Sequence, residues 1–128
     1  MSEEPKQDIV NNLLGCTISL SAFYITDDIS AKLSLLKHAN KEYNALSNKL
    51  ESRNISESDL DNAAPVAKDK ISSEVERRTD IDFDSEENER LAKTSPSKLN
   101  QLVSFLKQKR KFEINVSVNF KELEERSA

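Results

Sequence analysis

The sequence predicts a mainly α fold, an antiparallel helical hairpin of coiled-coil-like helices plus a C-terminal β-strand at residues 112–120. Three observations point there. Between residues 27 and 53, Ile29, Leu33, Leu36, Tyr43 and Leu50 fall on alternating steps of four and three, with Asn40 and Ser47 in the two remaining places. That is the seam of a helix packed against another helix. The chain holds 1 glycine in 128 residues, too few for the tight turns of an all-β fold. Residues 112–120 alternate apolar and polar side chains without a break, from Phe112 through Ile114, Val116 and Val118 to Phe120, which is the pattern of a half-buried strand.

The chain has the length of a single domain, but its apolar supply is thin. It is 36% hydrophobic and 33% charged, where a globular chain is roughly 45–50% apolar on a count that includes glycine. The core is therefore expected to be thin, or completed by a second chain. The net charge of −4 is unevenly spread: residues 54–94 carry 6 basic and 12 acidic groups, and residues 95–128 carry 7 and 4. An acidic centre beside a basic end can steer a partner or a second copy of the chain.

In chain order, residues 1–7 read as a disordered tail and residues 8–53 as a helical hairpin or one long kinked helix. Asp8 is the expected N-cap. Beyond it Ile9, Leu13, Cys16, Leu20 and Phe23 repeat the four-three step, and Val10, Leu14 and Tyr24 widen that face. A strand over 17–25 competes, since Ile18, Leu20, Ala22 and Tyr24 alternate with Thr17, Ser19 and Ser21, but Phe23 and Ile25 break the alternation. Gly15 costs a helix about 1 kcal/mol relative to alanine. Thr26-Asp27-Asp28 supplies a stop and a new cap, and the second seam starts out of phase with the first, so a break or kink separates them.

Residues 54–94 form an acidic helix-loop region. After a polar break at 52–58, the helix is expected to begin near Pro65 and run to Arg78, because proline is tolerated in a first turn and disrupts an interior. Residues 79–89 read as a loop with a short helix starting near Asp84. Residues 95–128 then give a helix, the strand and a charged tail. Ser95-Pro96 is a cap followed by proline at the first helical position. Leu99, Leu102, Val103 and Leu106 make one apolar face with Phe105 beside it, and Lys107, Lys109, Arg110 and Lys111 suit the negative end of that helix. Residues 112–123, an alternating strand followed by a charged turn, resemble one strand of the SecB-type export chaperones. The helical remainder does not resemble that four-stranded sheet, and no family is assigned.

Few residues offer chemistry. Asp80, Asp82 and Asp84 have the opening spacing of an EF-hand loop, but Ser85 stands where the turn needs glycine and Leu91 where a glutamate should close the site. His38 is the only histidine, and Glu42 four residues on is the one acidic or cysteine side chain at helical spacing from it, too few ligands for a metal site. Cys16, the only cysteine, sits on an apolar face and rules out an internal disulfide. No metal and no cofactor is expected, and catalysis is not. The acidic start (Met1-Ser2-Glu3-Glu4-Pro5) lacks the basic residues of a signal peptide, and the apolar run 13–25 is too short to span a bilayer, so a cytoplasmic chain with no membrane partner is expected.

What remains is a non-catalytic protein–protein interaction protein, an adaptor, regulator or small chaperone-like assembly factor. Its expected contact residues are Ile29, Leu33, Leu36, Asn40, Tyr43 and Leu50 on the helical seam, and Val116 and Val118 on an open strand edge. Pairing of that edge between chains would make a homo-oligomer. The alternative is a nucleic-acid-binding regulator using Lys107, Lys109, Arg110 and Lys111, with Phe105 and Phe112 to stack on bases. The sequence pI of about 5.1 makes nucleic acid the weaker reading.

Overall fold

Residues 9–23 are apolar around most of a helical circumference, and a helix of that kind is stable only inside a protein. In the computed structural model, which describes residues 6–81 and 86–127, they belong to α1 (Gln7–Ile25). Four further helices follow it: α2 (Ile29–Glu51), α3 (Glu57–Ile81), α4 (Glu86–Lys107) and α5 (Lys109–Ser127). α1 packs on α2, α3 and α4, and α5 lies against α2 and α4. The hub is thus α1, whereas the longest heptad seam lies on α2. By length and composition α1 could also cross a membrane, since the helix reaches back to Gln7 beyond the apolar run at 13–25. Half of it is buried among its neighbours.

Side-chain contacts fix the directions. Lys49 near the end of α2 reaches Asp8 and Asn12 near the start of α1, Glu42 lies over Gly15, and Lys32 at the start of α2 meets Phe23. α1 and α2 are therefore antiparallel. Lys107 at the end of α4 pairs with Asp61 near the start of α3 at 2.9 Å, so α3 and α4 form a second antiparallel pair. Lys6, just ahead of α1, meets Asp59 in the first turn of α3, and Leu14 and Ile18 lie beside residues 69–77. α1 and α3 run parallel. The core joins Ile9, Leu13, Cys16 and Phe23 of α1 to Leu36, Ala39, Tyr43 and Leu46 of α2, Leu60, Ala67 and Ile71 of α3, and Leu99, Leu102 and Leu106 of α4.

The C-terminal strand is not there: residues 112–120 lie within helix α5, and no strand occurs among the described residues. The same residues that alternate also place Val116, Phe120 and Leu123 on steps of four and three. Val116 and Leu123 are buried, Phe120 packs partly against the core, and Val118 is 51% exposed. In a strand Val116 and Val118 would share a face. A lone strand also leaves its backbone groups unpaired, while a helix satisfies its own. With residues 17–25 helical too, nothing in the described chain could pair with a strand, and the resemblance to an export-chaperone strand falls away.

Both prolines expected near helix starts lie inside helices. α3 begins earlier because Ser56 and Asp59 cap it reciprocally: the Ser56 N–H donates to Asp59 Oδ2 at 3.0 Å, and the Asp59 N–H donates to Ser56 Oγ at 3.2 Å. Pro65 removes one donor, but buried Leu60 and Ala63 before it and Ala67 and Ile71 after it hold the helix through that position. Leu91 and Leu99 do the same on either side of Pro96. Ser95 is consequently no cap. It is buried in mid-helix with its hydroxyl unpartnered, as are the hydroxyls of Thr17 and Ser21. The expected short helix near Asp84 starts outside the described residues.

The caps of the first hairpin differ in kind. Asp28 caps α2, with Oδ2 accepting from the Ala31 N–H at 2.9 Å. Asp8 is not the cap of α1, whose N-cap is Lys6. It lies in the first turn and pairs with Lys49 at 3.0 Å. α2 ends in a Schellman arrangement, with Asn54 N–H on the Lys49 carbonyl and Arg53 N–H on the Leu50 carbonyl. Arg53 takes the left-handed position there, at φ 63°.

Candidate functional site

The residues expected to meet a partner are largely turned inward. Leu36 and Tyr43 are 1% and 0% exposed, and Ile29, Leu33 and Leu50 pack partly against the same core, with Asn40 half-buried. Val116 is buried, and Val118 alone of the eight is well exposed. The seam is what holds the hairpin to the rest of the molecule, so reaching Leu36 or Tyr43 requires opening the fold. Of the basic cluster, Lys107 bonds Asp61 at 2.9 Å, and that carboxylate raises the lysine's pKa. Lys109, Arg110 and Lys111 open α5, and their side chains lie outside the described residues.

No reactive centre forms from the singled-out polar residues. Cys16 is fully buried, and desolvation, helped by Glu42, pushes its thiol up to about 12. At neutral pH it is a protonated core residue without nucleophilic character. His38 is exposed on α2. Among the described residues no group of His, Cys, Asp and Glu is arranged to hold a metal, and Asp82 and Asp84 of the acidic spacing lie outside them.

Polar contacts instead lock helix to helix. Asn12 donates to Glu42 Oε2 at 2.6 Å and accepts from Lys49 Nζ at 2.8 Å, while Lys49 also pairs with Asp8 and holds that carboxyl below its usual range. Gly15 lets this happen: a Cβ there would lie 3.1 Å from Glu42 Cγ. At the other end of α1, Lys32 bonds the Phe23 carbonyl at 2.9 Å and sits 4.6 Å from the Phe23 ring, so a cation covers a terminal carbonyl and an aromatic face together. Lys98 of α4 lies 3.8 Å from the Tyr24 ring centroid.

One surface stays open. Between α1 and α3 runs a groove of about 540 Å³ whose floor is Leu14 and Ile18 and whose wall is Asp69, Lys70, Ser73, Glu74 and Arg77. Leu14 and Ile18 are half-buried against the core, yet nothing among the described residues covers their outer sides. Arg77 bonds Glu74 at 2.7 Å along the wall. An apolar floor with a charged rim is the composition of a protein contact, with little of the enclosure a small molecule needs. Heptad periodicity does not reveal this groove, because its two halves lie far apart in sequence. Its only trace was Leu14 and Ile18, apolar residues off the strict four-three stripe of α1. No family model, curated protein or solved structure matches the chain.

Proposed function

We propose that the protein is a non-catalytic interaction module, of adaptor or regulator type, that binds protein through the groove between α1 and α3. The observation that carries this is Leu14 and Ile18, two half-buried aliphatic side chains whose outer sides form an apolar floor beside a charged wall, in a chain poor in apolar residues. A buried thiol and an exposed lone histidine favour binding over catalysis. Nucleic acid is the weaker alternative, because Lys107 is already committed to Asp61.

The test is site-specific photo-cross-linking in the native lysate. A photoreactive residue at Ser73 should give discrete protein adducts. The same residue at Lys37, exposed on α2, should give none. Absence of a discrete adduct at Ser73, or an adduct with RNA, would contradict the reading.

A further inference from the structure

The outward side of α2 carries hydrogen-bond donors and no carboxylate. From Ser30 to Asn48, about 27 Å of helix at ~1.5 Å per residue, every exposed side chain is serine, asparagine, lysine or histidine. Each of these offers an N–H or O–H. Glu42 is the single acidic residue of the stretch, and it turns toward α1, where it accepts from Asn12 at 2.6 Å and lies over Gly15. Asp27 and Asp28 precede the stretch and Glu51 follows it. Lys37, His38 and Lys41 occupy its middle, exposed, and make no ion pair, hydrogen bond or ring contact among the described residues. Lys37 and Lys41 stand one turn apart, a like-charge pair that costs the helix a little and that an anion between them would relieve. In a chain of net charge −4 this face is locally basic.

The make-up of the face selects its partner. A protein contact draws its binding energy from an apolar centre, and single-stranded nucleic acid from an aromatic platform. The exposed side chains between Ser30 and Asn48 include no aliphatic residue and no Phe or Tyr. Phosphates along a duplex need only positive charge and donors, which lysine, serine and asparagine supply without reading a base. We infer that the outward face of α2 binds the phosphate backbone of a nucleic-acid duplex, with Lys37 and Lys41 supplying charge and His38 and the neighbouring serines and asparagines supplying donors. The face is separate from Lys107 and from the α1–α3 groove, so the inference stands whether or not that groove binds protein. The negative net charge of the chain keeps the contact weak and independent of sequence.

Fluorescence anisotropy of labelled RNA and DNA duplexes tests it. Two lysines neutralise about two phosphates, so log affinity should fall against log salt with a slope of about −1.8, a loss of about tenfold from about 50 to 200 mM. Lys37→Gln combined with Lys41→Gln should weaken binding by about tenfold or more at the lower salt. Lys68→Gln combined with Lys93→Gln makes the same charge change on the exposed sides of α3 and α4 and should stay within about twofold. Binding of either duplex supports the contact, and the tighter one identifies its source. No binding by millimolar protein at the lower salt, an unchanged affinity in the α2 variant, or an equal loss in the α3–α4 variant would overturn the inference. So would a single strand or a labelled polyglutamate that binds as tightly as the duplex, the latter pointing to an acidic protein instead. Circular dichroism checks that both variants fold. Should the α2 variant fail to fold, amide shifts of the wild type on adding duplex replace it. Shifts centred on Lys37 and Lys41 support the contact, and shifts centred elsewhere, or none, count against it.

Discussion

Arg53 carries the one positive φ outside glycine among the described residues, in a position that favours glycine. It persists because Asn54 and the buried Ile55 are tied down immediately after it. Arg53→Gly should therefore stabilise the protein by about 0.5–1 kcal/mol, the left-handed penalty less the added freedom of the unfolded chain. Equilibrium urea unfolding measures this, and a loss of stability would show that Arg53 makes a compensating contact. Cys16 gives a second expectation. Its thiol titrates near 9.0 when unfolded and is pushed up to about 12 when folded. The folded state therefore holds the proton longer, and its contribution is complete below about pH 9 and lost as pH rises from there toward 12. Wild type should lose stability in that window more steeply than Cys16→Ala, and the native thiol should resist Ellman's reagent until the chain unfolds. Ala39 and Leu46 were missed as core residues for a geometric reason. A strict heptad stripe is narrower than the face a helix buries in a globular core, and both lie at its edge.

Among the elements, those set by local chemistry were legible. Asp28 was readable as a cap because its side chain acts on a neighbouring N–H, and α1 as a helix because eight apolar residues fit its face. α5 was not legible. Its β-branched residues and clean alternation are strand signals, and only the position of α2 and α4 decides that Val116 and Leu123 go inward together. The prolines misled in the same way, since burial on both sides of Pro65 and Pro96 outweighs the local penalty. A paired substitution separates helix from strand in α5. Val116→Asn should cost more than about 2 kcal/mol by placing an amide in the core, while Val118→Asn should stay within about 0.5 kcal/mol as a surface change. Equal losses at both positions would return them to one face and restore the strand.

Across the whole molecule, the thin apolar supply is concentrated on α1, which meets three other helices and leaves the Leu14–Ile18 side open among the described residues. The groove was illegible in the sequence because it joins residues 14–18 to residues 69–77, a juxtaposition made by the parallel packing of α1 and α3. The heptad seam of α2 was legible, but sequence periodicity does not say whether a seam meets its own chain or another. The structure turns it inward, with Leu36 and Tyr43 inside the core. Urea unfolding of Leu36→Ala against wild type, at dilute and at high protein concentration, tests this inward seam most directly. The expected loss is about 2–5 kcal/mol, equal at both concentrations, as for a core leucine of a single chain. A loss below about 0.5 kcal/mol would place Leu36 in solvent, and a loss that vanishes on dilution would show that another chain covers it.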